Sequence, residues 1–367
     1  MKIGFDAKRA FLNNTGLGNY SRWLITSLAS FYPDNSYHLY TTRSSERARI
    51  FNAFKNVHTT IAPNKTFSAY WRSRGIIKDL KRDGIEVYHG LSHELPSGIH
   101  KTHIKSVVTV HDVIALRFPQ YFSAINRYIY NSKLKYACRV ADEIVAISER
   151  TKQDLTEMLG VDANKINVIY QSCDASFKTE CDDAQKQSVK EKHQLPDQYI
   201  LSVGTIEERK NLLLLINALP QVKDIPLVVI GKQTDYADKV NAAIAQHNLI
   251  DRVIFLNKVD FVDLPAIYQL AQVFVYPSRY EGFGIPILEA LCSGTPVIAA
   301  TGSCLEEAGG PDSLYIDPDD AAGLAAKLMM VLGDENLRQK MITRGKEYSR
   351  NFDDDKLAAQ MMAVYPS

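Results

Sequence analysis

The sequence predicts an α/β protein made of two doubly wound domains facing each other across a cleft. Three observations carry that expectation. Apolar, β-type runs alternate with helical patterns along the whole chain, the pattern of parallel sheets covered by helices on both faces. At 367 residues the chain is too long for one ordinary α/β core, so two domains are expected. Between the two series of runs, the stretch 174–198 is polar and charge-rich, with little periodicity before one short helical pattern, and reads as a linker.

In the first half, strands are expected at 2–6, 37–41, 57–61, 87–89, 104–110, 143–147 and 166–169, and helices at 20–31, 121–140 and 149–159. Ser148 suits the N-cap of that last helix, and Gly160 suits the position after its end. The aromatic and basic stretch 70–82 reads as a helix that packs through Ile76, Ile77 and Leu80 and leaves its lysines in solvent, with contact to an acidic saccharide or a membrane surface as the alternative. In the second half, strands are expected at 199–203, 227–230, 253–256, 273–276, 297–299 and 314–316. Helices fit 211–219, 237–246, 264–270, 287–292 and 321–331. The domains are therefore 1–173 and 199–350, joined by 174–198.

Composition excludes several function classes. A formal net charge of +1 argues against nucleic acid as the main partner. No run approaches the length that spans a bilayer. The N-terminus enters a strand directly, without a secretory apolar region. The five cysteines, Cys138, Cys173, Cys181, Cys292 and Cys304, lack paired metal spacing and fit a reducing compartment. A cytoplasmic enzyme is expected.

The most informative segment is 277–291, where Val273-Phe-Val-Tyr276 reads as a short strand, Gly282 and Gly284 as a turn, and Pro286 as the first turn of a helix. Such a helix start presents unpaired amides and attracts phosphate. Two carboxylates flank it. Glu281 would repel a phosphate, so it suits a hydroxyl, as sugars supply. Glu289 lies about 5–6 Å farther along at helical rise and suits a second hydroxyl-bearing group such as ribose. After the strand 199–203 comes Gly204-Thr-Ile-Glu-Glu-Arg209-Lys210-Asn. Arg209 can hold phosphate oxygens bidentately, and Lys210 can act as a compact point charge. A solvated turn is the plainer alternative for that charge run, and a satisfied structural pair is the plainer one for His111-Asp112, which follows the strand 104–110. Every motif falls at or just after a strand's carboxyl end, where open α/β sheets collect ligands: Gly16 and Gly18, His111, Ser148, Gly204 to Lys210, Gly231 and Glu281.

Glu281 and Glu289, separated by seven residues, resemble the nucleotide-sugar signature of retaining glycosyltransferases of the GT-B fold, the family 4 group. The resemblance runs in order from Gly16 to Glu289, almost the whole chain. It implies the GT-B fold, with two Rossmann-like domains, and a C-terminal helix in 351–367 that crosses back onto the first domain. It implies that Glu281 contacts donor-sugar hydroxyls, that Glu289 contacts the ribose, and that the amides around Phe283, Gly284 and Ile285 meet diphosphate or sugar. The string from Gly204 to Arg209-Lys210-Asn211 resembles the mannosyltransferase-like version of the family's phosphate site, with Thr205 where an arginine is more common. Thr15-Gly16-Leu-Gly18 resembles the family's N-terminal glycine loop, and the counterpart of His111 lies against the donor sugar. Gly231 ends one strand on the donor side, and the resemblance implies that backbone of 252–259, including Lys258 and Val259, reads the base edge.

The resemblance therefore implies a retaining hexosyltransferase with His111, Glu281, Arg209 and Lys210 at the reaction centre. Its co-substrate is a nucleotide diphosphate sugar, GDP-mannose on the resemblance alone, with UDP- or dTDP-hexose still open. The acceptor is a saccharide or lipid-linked saccharide, and peripheral contact with the inner face of the membrane stays open. An epimerase or hydrolase of the same fold, and a catalytically silent sugar-nucleotide-binding protein, are the alternatives. No cofactor and no metal are expected, since no Asp-x-Asp motif is evident near the donor residues and protein cations can neutralise the diphosphate.

Overall fold

The computed structural model describes residues 1–13 and 15–366. They form two compact units, Met1–Ser172 with Phe352–Ser367, and Cys173–Asn351.

The first unit is built on a seven-stranded sheet. Its strands are β1 (Lys2–Asp6), β2 (Ser36–Thr41), β3 (Val57–Ile61), β4 (Val87–Gly90), β5 (Lys105–Val110), β6 (Glu143–Ala146) and β7 (Ile166–Val168). They lie in the order β3-β2-β1-β4-β5-β6-β7, and every pair is parallel. The strand order reverses between β1 and β4, where Ile3 faces Val87 on one side and Tyr37 on the other. The second unit repeats the plan with six strands: β8 (Ile200–Val203), β9 (Leu227–Ile230), β10 (Val253–Leu256), β11 (Val273–Tyr276), β12 (Val297–Ala300) and β13 (Leu314–Ile316). Their order is β10-β9-β8-β11-β12-β13, again parallel, with the reversal between β8 and β11. Each sheet is wound both ways from its reversal, the arrangement in which ligands gather beyond the strand ends at that point.

The expected strands and the observed ones agree to within a residue or so at each end. Strands covered on both faces must be apolar throughout, and Leu227–Ile230, Val273–Tyr276 and Val297–Ala300 are buried along their whole length. Helix Glu149–Leu159 begins and ends where its caps predict. The Ser148 hydroxyl accepts from the Thr151 amide at 3.0 Å, and Gly160 takes φ +65°. The stretch 70–82 is helical, with Ile76 and Leu80 buried, but a π-helical turn at Trp71–Gly75 interrupts it between Ser68–Tyr70 and Ile76–Asp83.

Three expectations are corrected. The stretch 174–198 is not a bare linker. It holds the helix Asp183–His193, capped by Asp182, and belongs to the second unit. Asp263, at the start of helix Leu264–Leu270, accepts from Lys192 Nζ at 2.7 Å and His193 Nε2 at 2.8 Å. Only Val189 of this helix is buried; polar contacts hold it, so it shows no apolar stripe. The same reason hides helix Glu335–Ser349, for which no helix was expected. It buries only Met341, Gly345 and Ser349. Finally, the helix expected from residue 20 begins at Gly16, so Gly16 and Gly18 form its first turn.

The C-terminal helix Asp354–Val364 lies on helix Gly16–Phe31 in the first unit. Trp23 Nε1 donates to the Asp354 carboxylate at 3.0 Å. The buried Tyr365 hydroxyl meets His89 Nδ1 at 2.9 Å, and His89 Nε2 meets Thr109 Oγ1 at 2.8 Å. This chain of hydrogen bonds fixes the C-terminal segment to the middle of the sheet.

Candidate functional site

The second unit gathers its predicted residues along one edge. Gly204 follows β8, Gly231 follows β9, Lys258 and Val259 follow β10, and Glu281 follows β11, all at carboxyl ends. Two of these turns are in backbone contact: a Cβ added to Gly231 would fall 1.8 Å from the Gly204 carbonyl oxygen. Only glycine lets them meet.

At the reversal between β8 and β11, Glu281 sits in a ring of donors. Its Oε1 is 2.5 Å from Lys210 Nζ and 2.8 Å from Arg209 Nη1. Ser278 Oγ donates to the same oxygen at 2.6 Å and Tyr276 OH at 3.1 Å. Arg209 also donates to the Tyr280 carbonyl and the Glu207 carboxylate, both at 2.6 Å. Lys210 donates to Tyr276 OH at 2.5 Å, its ammonium 5.0 Å from the ring centroid. The Glu281 side chain is 12% exposed. Burial would raise its pKa, but Lys210 and then Arg209 outweigh burial and hold the carboxyl down to about 2. Burial also opposes the Arg209 charge, and Glu281 and Glu207 more than restore it.

The turn that carries Glu281 is shaped by Cys304, whose thiol donates to the Glu281 carbonyl at 3.0 Å and the Phe283 carbonyl at 2.9 Å. Gly284 follows at φ +129°, a conformation open to glycine, and helix Ile285–Cys292 starts there with Pro286 in its first turn. Glu289, in the middle of that helix, accepts from Tyr268 OH at 3.0 Å.

In the first unit, His111 directly follows β5 and is buried. Its Nε2–H donates to the Leu91 carbonyl at 2.9 Å, which leaves Nδ1 as the acceptor nitrogen. Tyr20, from the glycine-started helix, meets the imidazole edge-on with centroids 4.6 Å apart. Burial, and then His93, lower the pKa of His111 to about 3, so it is neutral at physiological pH. A Cβ added to Gly18 would lie 2.1 Å from the Asn13 carbonyl oxygen, so this helix start also depends on close backbone approach.

Two doubly wound parallel sheets, with a cation pair and a carboxylate at the reversal of the second, are now in place. A family model described as Glycosyltransferase Family 4 matches residues 24–177, and one described as Glycosyl transferases group 1 matches residues 183–348. The chain belongs to this glycosyltransferase family. O-antigen chain mannosyltransferase B of Escherichia coli is 28% identical over 285 residues, 76% of this chain and 74% of that protein. O-antigen chain mannosyltransferase RfbU of Salmonella typhimurium is 31% identical over 253 residues, 68% of this chain and 66% of its own length. Among solved structures, sucrose-phosphate synthase from Thermosynechococcus elongatus superimposes with a TM-score of 0.78 at 20% identity, over 100% of this chain and 98% of that one. At that identity the likeness speaks for the fold, GT-B, and for nothing finer.

In this glycosyltransferase, the structure brings Arg209, Lys210 and Glu281 into direct contact, which the sequence reading did not foresee. The sequence points to Glu281 as a hydroxyl acceptor beside the phosphate cations; the structure makes it their counter-ion as well. Glu207, Tyr276, Ser278 and Cys304 were missed. Glu207 stands within the Glu-Glu-Arg-Lys run and was legible as a partner of Arg209, whereas Tyr276, Ser278 and Cys304 carry no pattern of their own. The expectation that no Asp-x-Asp lies near the donor residues is also corrected. Asp317-Pro318-Asp319 has that spacing, with Asp319 paired to Arg279 at 2.6 Å and the Pro318 carbonyl accepting from Asn211 Nδ2 at 2.7 Å. Both aspartates are exposed. Among the described residues, no three His, Cys, Asp or Glu side chains cluster as a metal site. No helix among them is long and apolar enough to cross a membrane.

Glu289 differs sharply from Glu281. Burial raises its pKa, the Tyr268 hydrogen bond only partly opposes this, and the result is about 7. A carboxyl raised in the folded state costs stability as pH climbs from its ordinary value near 4.5 through about 7. Glu289→Gln should therefore flatten the fall in stability over that window and stabilise the protein by about 3 kcal/mol at about pH 8, with little effect near pH 5. Thermal denaturation across pH checks this, and an unchanged slope would refute it.

Proposed function

We propose that this glycosyltransferase moves a hexose, mannose from GDP-mannose as the preferred donor, onto a hydroxyl of a saccharide or lipid-linked saccharide, with retention and without a metal. The observation that carries the reading is the Arg209–Lys210–Glu281 cluster at the strand-order reversal of the second sheet. Mannose is supported by relatives named as mannosyltransferases that each align with about 70% of this chain. Arg209 and Lys210 hold the diphosphate. As the glycosidic bond breaks, negative charge grows on the leaving phosphate, and prepositioned cations and the Gly284 helix start stabilise it more than the ground state. Glu281 accepts from donor-sugar hydroxyls and Glu289 from the ribose. His111, neutral and tied through Nε2, offers Nδ1 to a sugar hydroxyl and is not the base; the leaving phosphate takes the acceptor proton on the face it departs from.

A thermal-shift and turnover screen of the purified protein against nucleotide sugars tests the donor, and GDP-mannose should give the largest response. An α-linked donor should give an α-linked product by NMR, with activity retained in EDTA because protein cations supply what a divalent ion supplies elsewhere. A β-linked product refutes retention. Complete, metal-reversible loss of activity refutes metal independence.

A further inference from the structure

The first unit holds a cavity of about 670 Å³ that the donor chemistry leaves unused. Its wall is drawn from the carboxyl ends of four adjacent strands: Asp6 and Lys8 after β1, Arg43 after β2, Lys65 after β3 and Glu94 after β4. It therefore spans the reversal between β1 and β4, where doubly wound sheets take ligands.

Its charges do not balance. Five cations line it, Lys8, Arg43, Lys65, Arg72 and Lys133, against two carboxylates. Both carboxylates are engaged. Asp6 is held by Arg72, Nε to Oδ1 at 3.1 Å and Nη2 to Oδ2 at 2.6 Å. Glu94 takes Arg72 Nη1 at 2.8 Å and Lys133 Nζ at 3.2 Å. The π-helical turn Trp71–Gly75 carries Arg72 into this position, and such turns concentrate at functional sites. Lys8, Arg43 and Lys65 form no ion pair among the described residues. Arg43 and Lys65 are exposed at the rim, whereas Lys8 is half-buried. Burial and then the like charge of Arg72 lower the pKa of Lys8, and the nearby carboxylates Glu94 and Asp6 only partly oppose this. Both carboxylates are paired to Arg72, so a further anion in direct contact with this half-buried ammonium would stabilise its charge.

We propose that this cavity binds a phosphate- or diphosphate-bearing acceptor, with Lys8 on the phosphoryl group and Arg43 and Lys65 drawing it in. The proposal rests on the transferase reading above and names the chemistry of its acceptor. The phosphoryl group can belong to a free sugar phosphate or to a lipid carrier.

The test uses three acceptors with one sugar: a neutral alkyl hexoside, a hexosyl phosphate and a medium-chain alkyl hexosyl diphosphate. KM for the phosphorylated acceptors should be at least about tenfold lower than for the neutral one, and added salt should narrow the gap. Lys8→Met should erase the preference while leaving the donor KM unchanged, and Lys8→Arg should keep it. Arg43→Gln with Lys65→Met should weaken it should Lys8→Met fail to fold. A clear advantage of the lipid diphosphate over the hexosyl phosphate assigns the group to a lipid carrier; parity assigns it to a free phosphosugar. Equal KM for charged and neutral acceptors, or a preference that survives these substitutions, overturns the proposal. Calorimetric titration of the hexosyl phosphate into protein saturated with nucleoside diphosphate separates the two readings. Lys8-dependent binding without transfer to any acceptor would leave this site standing and sink the transferase reading.

Discussion

Replacing Arg209 and Lys210 together by alanine should leave almost no transfer and remove most of the affinity for nucleoside diphosphate. Each side chain is expected to make a charge-assisted contact with the diphosphate, worth about 1.5–3 kcal/mol, or roughly ten- to a hundredfold. Both contacts exist in the ground and transition states, so the loss should appear in donor affinity and in kcat/KM. The two effects should not add simply. Glu281 pairs with both cations, so either single variant leaves the carboxylate one partner, while the double variant leaves a largely buried carboxylate with only Ser278 and Tyr276. Residues in one network couple in this way. Calorimetric titration with nucleoside diphosphate, beside steady-state rates, measures both quantities. Unchanged nucleotide affinity in the double variant would remove the assignment.

Glu281→Gln should cut turnover ten- to a hundredfold by weakening the acceptor for sugar hydroxyls, at about 1.5–3 kcal/mol for a lost contact to a charged group. The structure adds a second effect. Removing one partner from a buried ion pair leaves the other charge uncompensated, at a cost of about 3 kcal/mol. Arg209 retains Glu207 and the Tyr280 carbonyl, and Lys210 retains Tyr276 OH. Each is then freer to take a phosphate, because the carboxylate no longer competes. Nucleoside diphosphate should accordingly stabilise Glu281→Gln against heat more than it stabilises the unmodified protein. The pH dependence follows the depressed pKa: the Glu281 contribution is fully present above the ordinary value near 4.5 and is lost as pH falls toward about 2. The variant should lack that acid-induced loss. Glu289→Gln should instead weaken nucleoside diphosphate itself, since its proposed partner is the ribose. A Glu281→Gln protein that bound nucleoside diphosphate as poorly as Lys210→Ala would refute the counter-ion role.

Much of this molecule is written in local pattern. The central strands were legible because parallel strands buried on both faces must be apolar throughout, as β9, β11 and β12 are, whereas the edge strand β3 is polar and half-exposed and shows only its β-branched residues. Glu281, Glu289 and the Arg209-Lys210 pair were legible from their spacing and from their places after strands. Helices Asp183–His193 and Glu335–Ser349 were poorly legible, because they bury few apolar side chains and rely on caps at Asp182 and Asp334 and on neighbours that periodicity does not encode.

By itself, then, the sequence determined the parallel α/β plan, the order of the motifs and their places at the carboxyl ends of strands. Only the tertiary structure decided how those side chains are charged and paired. Arg209 and Tyr280 are 71 positions apart in the chain yet hydrogen-bonded, and β8 and β11 are neighbours although β9 and β10 lie between them in sequence. The two glutamates of one motif acquire opposite pKa shifts, because one is folded against two cations while the other is buried with only a tyrosine hydroxyl to oppose its desolvation. Electrostatics depends on distance and desolvation in three dimensions, and neither quantity exists until the chain has folded.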